Sequence, residues 1–448
     1  MREFCIIISV LFQIQAIAQV KQLTLNNAIE SFLQNNYQIK ILQNQAQIAN
    51  NNNTFSNAGR APSINFIASQ TNSFINQKPA NPFALAGKNL SDNLNAQVDV
   101  QWTLFNGNKV NIQKSYLTYL AQQSEGNVTL LIQNQLQNLI QAYRLALYEQ
   151  QKLEIRKEML SLSLKRFEYA SLKKEYGQFT SFDILQEKSS LMNDSIAYEQ
   201  QNMVLQNARK KLFLIMATEF IDNVFLSDSL KLDKNVGFDL NSLKEKANKD
   251  NQNIKNQFLA LQIAKTNTDL AKSNSAAQIL MNTGINGTYN TLSARFPTDR
   301  TFSNFQNRTI SGYATGAYLN FSLRYNLYNG SQVKRTIQNA VLQEKNAETS
   351  LQEMNFQLNL NLENVYNQYL SQKKIYRIIG ENVNNSYQIW QIANEKYKQG
   401  LINSIDIRTI QLNYLNNNLM YLDALIDILD LELELTKLSG GLMQSNDK

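Results

Sequence analysis

Two stretches of strictly alternating apolar and polar residues limit the folds open to this chain. In LNAQVDVQWTLFNG, residues 94–107, apolar side chains occupy every second position, and AYLNFSLRYNLYNG repeats the pattern at 317–330, 223 positions later. Side chains of a β-strand point alternately to opposite faces, so each stretch predicts a strand with one apolar and one polar face. A long segment without proline follows each stretch. The chain is therefore predicted to contain, twice over, a strand that leads into a very long helix.

The amino terminus has the pattern of a secretory signal peptide. Residues 1–18 contain Arg2 near the start, an apolar stretch and an A-x-A cleavage site at 16–18. The alternative, a membrane anchor, is disfavoured because the apolar stretch is too short to cross a bilayer as a helix. The only cysteine, Cys5, lies in this segment. The mature chain is expected to have no disulfide and no cysteine metal ligand.

The composition argues against an enzyme and against a nucleic-acid-binding protein. The chain has no histidine, which removes the commonest general base and the commonest metal ligand. The net charge of +7 comes from scattered basic residues, which is typical of a solvated surface. Acidic pairs such as Glu432 and Glu434 are interpreted as exposed helix charges, not as acid–base pairs. No cofactor, no metal and no nucleic-acid partner is predicted.

Each repeated strand is followed by about 70 residues with a helical pattern that ends at a glycine, Gly177 or Gly400. Apolar residues from Ile132 to Phe167 and from Leu362 to Tyr397 recur at alternating steps of three and four. This 3.5-residue period is typical of a coiled coil. After each glycine we expect a serine, Ser181 or Ser404, to cap a returning helix of roughly half the length.

These patterns divide the chain into two structural repeats. The expected order is a signal peptide 1–18, a first repeat 19–217, a connector 218–237, a second repeat 238–438 and a loose tail 439–448. In the first repeat we expect a helix over 23–59, a β-hairpin 63–105 with a loop at 72–93, a long helix 108–176 and a return helix 182–217. In the second we expect a helix, a hairpin 278–328 with extra loop length near 291–313, a long helix 331–399 and a return helix 405–438.

The strand length favours a membrane protein of α+β class. A tilted strand of about 12 residues covers roughly 28 Å, close to the hydrocarbon thickness of a bilayer. Four strands cannot close a barrel, and open strand edges are not tolerated in lipid. We therefore expect several copies to form one barrel, from which the helices extend. A soluble sandwich is disfavoured, because the strands come as two hairpins separated by long helical segments. The alternative is a periplasmic coiled-coil rod that acts as a structural or adaptor protein.

The duplicated motifs resemble those of the TolC family of outer-membrane efflux proteins. The resemblance covers residues 20–440 and rests on LTLNNAIESFLQNN near the start, on WTLFNG and YNLYNG, and on GQFTSFDIL (177–185) and GLINSIDIR (400–408). It implies a homotrimer with a 12-stranded outer-membrane barrel, four strands per chain, and a helical barrel in the periplasm. It also implies a passive exit duct for efflux or type I secretion, which works with a periplasmic adaptor protein and an inner-membrane RND or ABC transporter.

The resemblance and the strand pattern together give candidate functional residues. The resemblance assigns a periplasmic entrance gate to Asp183, Tyr397, Ile402 and Asp406, and adaptor contacts to Gly177, Phe179, Ser181, Gly400, Leu401 and Ser404. The strand pattern predicts that one set of side chains faces lipid, namely Leu94, Val98, Val100, Trp102, Phe321, Leu323 and Tyr325. It predicts that Asp99, Gln101 and Arg324 face the lumen.

The entrance departs from the family pattern at two positions. Ile402 stands where the family has an arginine, and Thr409 stands where the family has a second acidic residue. Closure is therefore expected to depend on apolar packing of Phe179, Leu401 and Ile402, with Asp406 as the main acidic ring. Two simpler readings stay open: that the aspartates only stabilise the starts of their helices, and that the turns only join helices.

Overall fold

The structure is a computed structural model that describes residues 21–78, 80, 86–222, 224–232, 237–299 and 304–442. The predicted signal peptide and Cys5 lie outside the described residues. In chain order the helices and strands are β1 (Lys21–Leu23), α1 (Leu25–Asn35), α2 (Tyr37–Asn52), β2 (Ser63–Gln77), β3 (Gly87–Phe105), α3 (Lys109–Glu175), α4 (Ser181–Met216), β4 (Val224–Leu226), α5 (Leu240–Asp250), α6 (Gln252–Ser273), β5 (Gln278–Pro297), β6 (Phe305–Arg324), α7 (Gln332–Lys398) and α8 (Ser404–Leu438).

The chain divides into two compact units, and both contain segments from each half of the sequence. The first, mostly helical, comprises residues 1–44, 125–256 and 351–448. The second comprises 45–124 and 257–350 and contains the long strands. This mixture of helical and strand-rich units confirms the α+β class. Within the described residues, no helix has an apolar stretch of the length and hydropathy needed to cross a bilayer.

The second unit contains an antiparallel sheet in the order β2-β3-β5-β6. Two hairpins, β2–β3 and β5–β6, are joined because β3 pairs with β5. The two strands that end this sheet are β2 with 15 residues and β6 with 20, and each pairs with one neighbour among the described residues. The backbone groups along their outer edges are therefore available for further pairing.

The core of the first unit forms where the long helices meet the chain start and the connector. Leu139 and Tyr143 of α3 are fully buried together with Leu362 of α7. The Tyr143 hydroxyl, which has one proton to donate, lies within hydrogen-bond distance of two acceptors, the Leu23 carbonyl at 2.8 Å and Asp228 at 2.7 Å. These bonds fix the first strand and the connector against α3.

The predicted single helix over 23–59 is wrong, because the backbone breaks at Asn36. The Asn36 N–H bonds the Phe32 carbonyl, and its side chain accepts from the N–H groups of Gln38 and Ile39. One asparagine thus ends α1 and begins α2, because its side chain competes with the helix backbone. Asn251 makes the same bonds between α5 and α6, 215 positions later. The duplication is therefore visible in side-chain hydrogen bonding.

Two predicted loops are shorter than expected, because parts of them belong to strands. Strand β2 runs to Gln77 and β3 begins at Gly87, so the loop predicted at 72–93 is mostly strand. The expected extra loop length near 291–313 instead lengthens β5 and β6, which pair as far as Pro297 and Phe305. The hairpin predicted to end at 328 ends at Arg324, so Tyr325 lies beyond the strand.

The connector and the tail also differ from the prediction. β4 lies in the predicted connector and pairs in parallel with β1. At the start of the predicted loose tail, Ser439 and Leu442 are buried. The pairing of β4 with β1 and the packing of Leu442 in the core of the first unit each join segments far apart in sequence. Local patterns do not reveal such contacts.

Candidate functional site at the helical turns and the sheet

The two helical turns have the same backbone hydrogen bonding. At the first turn the Gly177 N–H bonds the Lys174 carbonyl and the Gln178 N–H bonds the Lys173 carbonyl, at 2.8 and 2.9 Å. At the second turn, Gly400 and Leu401 bond the carbonyls of Tyr397 and Lys396 at 3.0 and 2.9 Å. This pattern is a Schellman motif, which needs a left-handed residue. The glycines meet that need with φ angles of 72° and 75°.

The returning helices are capped one residue earlier than predicted. Thr180, not Ser181, is the N-cap of α4, and Asn403, not Ser404, is the N-cap of α8. Ser181 and Ser404 are the first helical residues. Thr and Asn cap as well as Ser does, and the bonding geometry of the turn selects which of two adjacent polar residues takes the position.

The two entrance aspartates differ in their hydrogen bonding. The Asp183 carboxylate accepts from the Thr180 N–H at 2.8 Å and from its hydroxyl at 2.7 Å, which completes a capping box. The bonds from Thr180 hold the pKa of Asp183 below its usual value. The carboxylate of Asp406 is exposed, while its backbone N–H bonds the Asn403 side chain at 2.8 Å. Asp406 is thus the more exposed of the two aspartates.

Tyr397 lies in a small apolar cluster above the second turn. It packs with Ala393 and Ile407, and Ile402 contacts this cluster. The ring of Tyr169 lies 5.7 Å from that of Tyr397. The structure therefore brings Tyr397 and Ile402 together, as an apolar contact.

The other two residues of the expected apolar closure behave differently. Phe179 packs edge-on against Tyr169, with ring centroids 6.3 Å apart. Leu401 is 67% exposed at the turn. Within one chain, Leu401 therefore remains available for contact with another molecule.

A buried polar network close to the turns was not predicted. Arg166 of α3 forms an ion pair with Glu187 of α4 at 3.2 Å and hydrogen-bonds Gln411 of α8. Burial raises the pKa of Glu187, although the guanidinium beside it acts in the opposite direction. One arginine thus links three helices in the interior.

A second arginine extends this network. Arg408 of α8 donates hydrogen bonds from both terminal nitrogens to the carboxylate of Asp194 of α4, at 2.8 and 2.7 Å. Ser163 of α3 also hydrogen-bonds Asp194. Such a bidentate pair fixes direction as well as distance. The network therefore holds α4 against α8 with defined geometry.

This network explains an error in the predicted helix periodicity. The pattern places Leu160, Leu164 and Phe167 inside, whereas the buried positions are one residue earlier, at Met159, Ser163, Arg166 and Ala170. An apolar pattern cannot identify an interior built from Ser and Arg. The available signal was the set of complementary charges on the three helices, but it does not specify which charges pair.

The sheet separates apolar from polar side chains as the alternation predicts. By strand register, the apolar candidates within the strands share one face, namely Leu94, Val98, Val100, Trp102, Phe321 and Leu323. Asp99, Gln101 and Arg324 share the other face. Tyr325 follows the last strand residue and is exposed.

A glycine on the polar face permits a bond across three strands. Gly284 lies between Asp99 and Tyr318 in the register, and the Tyr318 hydroxyl donates to Asp99 at 2.6 Å. A Cβ at Gly284 would lie 2.3 Å from the Val98 carbonyl oxygen and 2.8 Å from the Tyr318 hydroxyl oxygen. Gly284 is therefore required for this crossing.

The described residues contain no group of three or more His, Cys, Asp or Glu side chains placed to hold a metal ion. No protein-family model matches the sequence, and no curated protein matches it. The arrangement of helices and strands is the feature that can be compared with known proteins.

Several solved structures with the same fold are described as outer-membrane proteins or transmembrane channels. CusC, whose structures concern folding and transmembrane channel formation, has a TM-score of 0.74 and 13% identity, over 93% of this chain and 92% of CusC. The outer membrane protein VceC of Vibrio cholerae has a TM-score of 0.71 and 16% identity, over 93% and 96% of the two chains. The CmeC outer membrane channel of Campylobacter jejuni has a TM-score of 0.73 and 14% identity, over 94% and 88%. The chain therefore has the fold of the TolC-family outer-membrane channels, as the sequence resemblance predicted.

Proposed function

We propose that this protein is the outer-membrane exit duct of a tripartite efflux or type I secretion system. The observation that carries the proposal is the β2-β3-β5-β6 sheet, which has one apolar face and two edges that pair with no other strand in the described part of the chain. The fold of the whole chain is shared with outer-membrane proteins such as VceC and CmeC, which supports the same conclusion. In this role the protein is a passive conduit and not an enzyme.

The unpaired edges support a homotrimer. In lipid, the backbone groups along β2 and β6 need hydrogen-bond partners, and β2 of one copy can pair with β6 of the next. Four strands from each of three copies give a 12-stranded barrel. Side chains fill the interior of an eight-stranded barrel, whereas a 12-stranded barrel is wide enough to leave a channel. The apolar face then meets outer-membrane lipid, and the polar face lines the lumen. Alternating interior and exterior residues are the rule for such barrels.

The helical unit is proposed to lie in the periplasm and to contact an adaptor protein at its turns. Apolar side chains are exposed there, including Tyr176, Phe182, Leu401 and Ile405. Clustered exposed apolar residues indicate a protein-binding surface. Through the adaptor, the duct would receive substrates from an inner-membrane RND or ABC transporter.

Channel formation is tested with the full-length protein, purified from outer membranes in detergent. We expect a heat-modifiable trimer on gels and discrete conductance steps in planar bilayers. A water-soluble protein without conductance would support the alternative, a periplasmic rod that acts as a structural or adaptor protein.

The adaptor contact is tested by replacing Gly177 and Gly400 with leucine. The left-handed backbone strains any larger residue. The space around each glycine is open, however, so we expect this strain to stay local and the helices to remain folded. We expect intact trimers that no longer export or bind the adaptor. Asn413→Leu, an exposed change within α8, is the control. Undiminished adaptor binding by both glycine variants would show that the turns only join helices.

A further inference from the structure

A pocket of about 530 Å³ lies on the β2-β3-β5-β6 sheet at its two hairpin ends, away from the residues at which α3 and α7 begin. We name it the hairpin-end pocket. By strand register, the residues that give it chemical character lie on the same face as Leu94 and Val98, namely Phe74, Lys88, Leu90, Ser293, Arg295 and Thr309. The pocket therefore continues the apolar face of the sheet toward the hairpins.

The charged residues that line the hairpin-end pocket are all basic. Lys88 and Arg295 are exposed on the pocket face, and Arg308 of the opposite face also lines the pocket. None of these three residues forms an ion pair within the described part of the chain. The guanidinium of Arg295 lies 6.0 Å from the centre of the Phe305 ring, a contact that does not use its N–H groups as hydrogen-bond donors. The pocket therefore favours an anionic group.

The register places this pocket beyond one end of the apolar band. On this face, no charged residue lies between Met281 and Tyr289 of β5 or beside them on the paired strands. The next row contains Thr291 and Asp92, whose carboxylate accepts from the Thr291 hydroxyl at 3.1 Å. A tilted strand rises about 25 Å from Met281 to Thr291, which is the usual height of the apolar band of a membrane barrel. Arg295 lies farther along the same strand, about 10 Å beyond the band.

This height distinguishes between classes of anionic lipid. The headgroup layer of a phospholipid bilayer adds only about 5–8 Å on each side of the hydrocarbon. Lys88 and Arg295 lie beyond that layer, where a lipid that carries phosphate groups on sugars still presents negative charge. Lysine and arginine both bind phosphate, and the guanidinium of arginine can do so with two parallel hydrogen bonds.

The other groups in the pocket suit a phosphorylated sugar. The hydroxyls of Ser293 and Thr309 lie 2.6 Å apart, and because only one of them donates to the other, one proton is left for a ligand. Phe74 and Leu90 belong to the same row and are exposed. They offer apolar contact to the carbon face of a sugar ring, beside the hydroxyls and the two basic side chains.

We propose that the hairpin-end pocket binds the phosphorylated sugar headgroup of an outer-leaflet glycolipid of the lipopolysaccharide type. Lys88 and Arg295 bind a phosphate group, and the sugar that carries it packs against Phe74 and Leu90. The inference rests on the proposed barrel, because the pocket meets the outer leaflet only when the apolar face meets lipid and the hairpins lie outside the cell.

The test uses the full-length trimer purified in detergent and three fluorescently labelled lipids, with binding followed by anisotropy. The lipids are rough lipopolysaccharide, which keeps its phosphorylated inner sugars, the same lipid after removal of its phosphates, and phosphatidylglycerol. We expect saturable binding of the first and at least tenfold weaker affinity for the other two. Equal affinity for the phosphorylated and dephosphorylated forms overturns the proposal. Equally tight binding of phosphatidylglycerol also overturns it, because the pocket would then accept any anionic lipid.

Variants assign the binding to the two basic residues. The double variant Lys88→Gln with Arg295→Gln should weaken lipopolysaccharide binding about tenfold or more, since it removes both charge-assisted contacts. Arg295→Lys alone keeps the charge and should lose only part of the affinity. Arg324→Gln, which removes an arginine on the opposite face of the sheet, is the matched control and should bind as the wild type does. Unchanged binding in the double variant overturns the proposal.

Conductance in planar bilayers separates this proposal from the proposed exit duct. A double variant that conducts as the wild type does, but has lost lipopolysaccharide binding, supports the glycolipid site. Wild-type trimers that conduct without saturable lipopolysaccharide binding overturn the glycolipid site alone. A wild-type protein that forms no conducting trimer overturns the duct, and the site with it, because the sheet then has no side that faces the outer leaflet.

Discussion

Asp183 and Asp406 have equivalent positions in the two turns but different chemical surroundings. Asp183 is engaged in the capping box with Thr180, whereas the carboxylate of Asp406 is exposed. The simpler reading, that an aspartate stabilises the start of its helix, therefore suits Asp183. The more exposed carboxylate, that of Asp406, is the one proposed to act on passing ions.

Asp406→Asn is expected to reduce the cation preference of the channel. In the proposed trimer, three carboxylates in a narrow entrance attract cations, because low-dielectric walls focus their field. Single-channel reversal potentials under a salt gradient measure the preference, and block by divalent cations should weaken in parallel. Asp183→Asn is the matched control, with a smaller change expected. An unchanged preference in Asp406→Asn, with a lower melting temperature, would contradict the ring.

Asp183→Asn is expected to lower stability at neutral pH but not in acid. The pKa of Asp183 lies below its ordinary value of 3.8 in the folded protein, so its ionised form stabilises the fold. This contribution is complete above the unfolded pKa and is lost as the pH falls through the lowered folded pKa. The gap in melting temperature between Asp183→Asn and wild type should therefore narrow as the pH falls below about 4. A gap that stays constant as the pH is lowered through this range would contradict the capping role.

Three helices meet around the buried network, and the pair of Asp194 with Arg408 is its most directional contact. Removing one partner of a buried ion pair leaves the other charge without compensation, which costs about 3–5 kcal/mol, whereas replacing both by apolar residues costs much less. The main effect of the network is therefore to require matching charges on α4 and α8. Its net contribution to the free energy of unfolding is small by comparison.

A double-mutant cycle tests this view of the network. Asp194→Leu should strongly lower the melting temperature of the purified protein, and adding Arg408→Met should restore part of the loss. The exposed pair of Asp269 with Lys272 offers a control, since Asp269→Asn should change stability by less than about 1 kcal/mol. Additive effects of the Asp194 and Arg408 changes would show that the two residues act independently.

For the assembled protein, the proposed barrel makes the two faces of β3 unequal. Val100→Arg places a charge on the proposed lipid face of β3, which should cost about 2–4 kcal/mol if the residue lies near the bilayer midplane. Gln101→Arg adds the same side chain on the opposite face and should be tolerated. The measurement is the yield of heat-modifiable trimer in the outer membrane. A wild-type yield for Val100→Arg would contradict the lipid assignment.

Short-range patterns in the sequence were sufficient for the fold class and for the two faces of the sheet. The alternation from Leu94 onward specifies which side chains share a face, because a strand repeats every two residues. The glycines at 177 and 400 specify the turns, because the left-handed backbone of a Schellman motif favours glycine. Both properties arise from a few adjacent residues.

Contacts between distant segments were decided only in the tertiary structure. The pairing of β3 with β5, the strand formed by Lys21–Leu23 with the connector, and the interior position of Arg166 each depend on residues far away in the chain. Burial of a charge is costly, so an arginine in a sequence is predicted to be exposed unless its partners are known. In the structure, Glu187 and Gln411 compensate the buried charge of Arg166. The hydroxyl of Tyr397 is a further case, because the packing of three helices, and no local pattern, leaves it buried without a hydrogen-bond partner among the described residues.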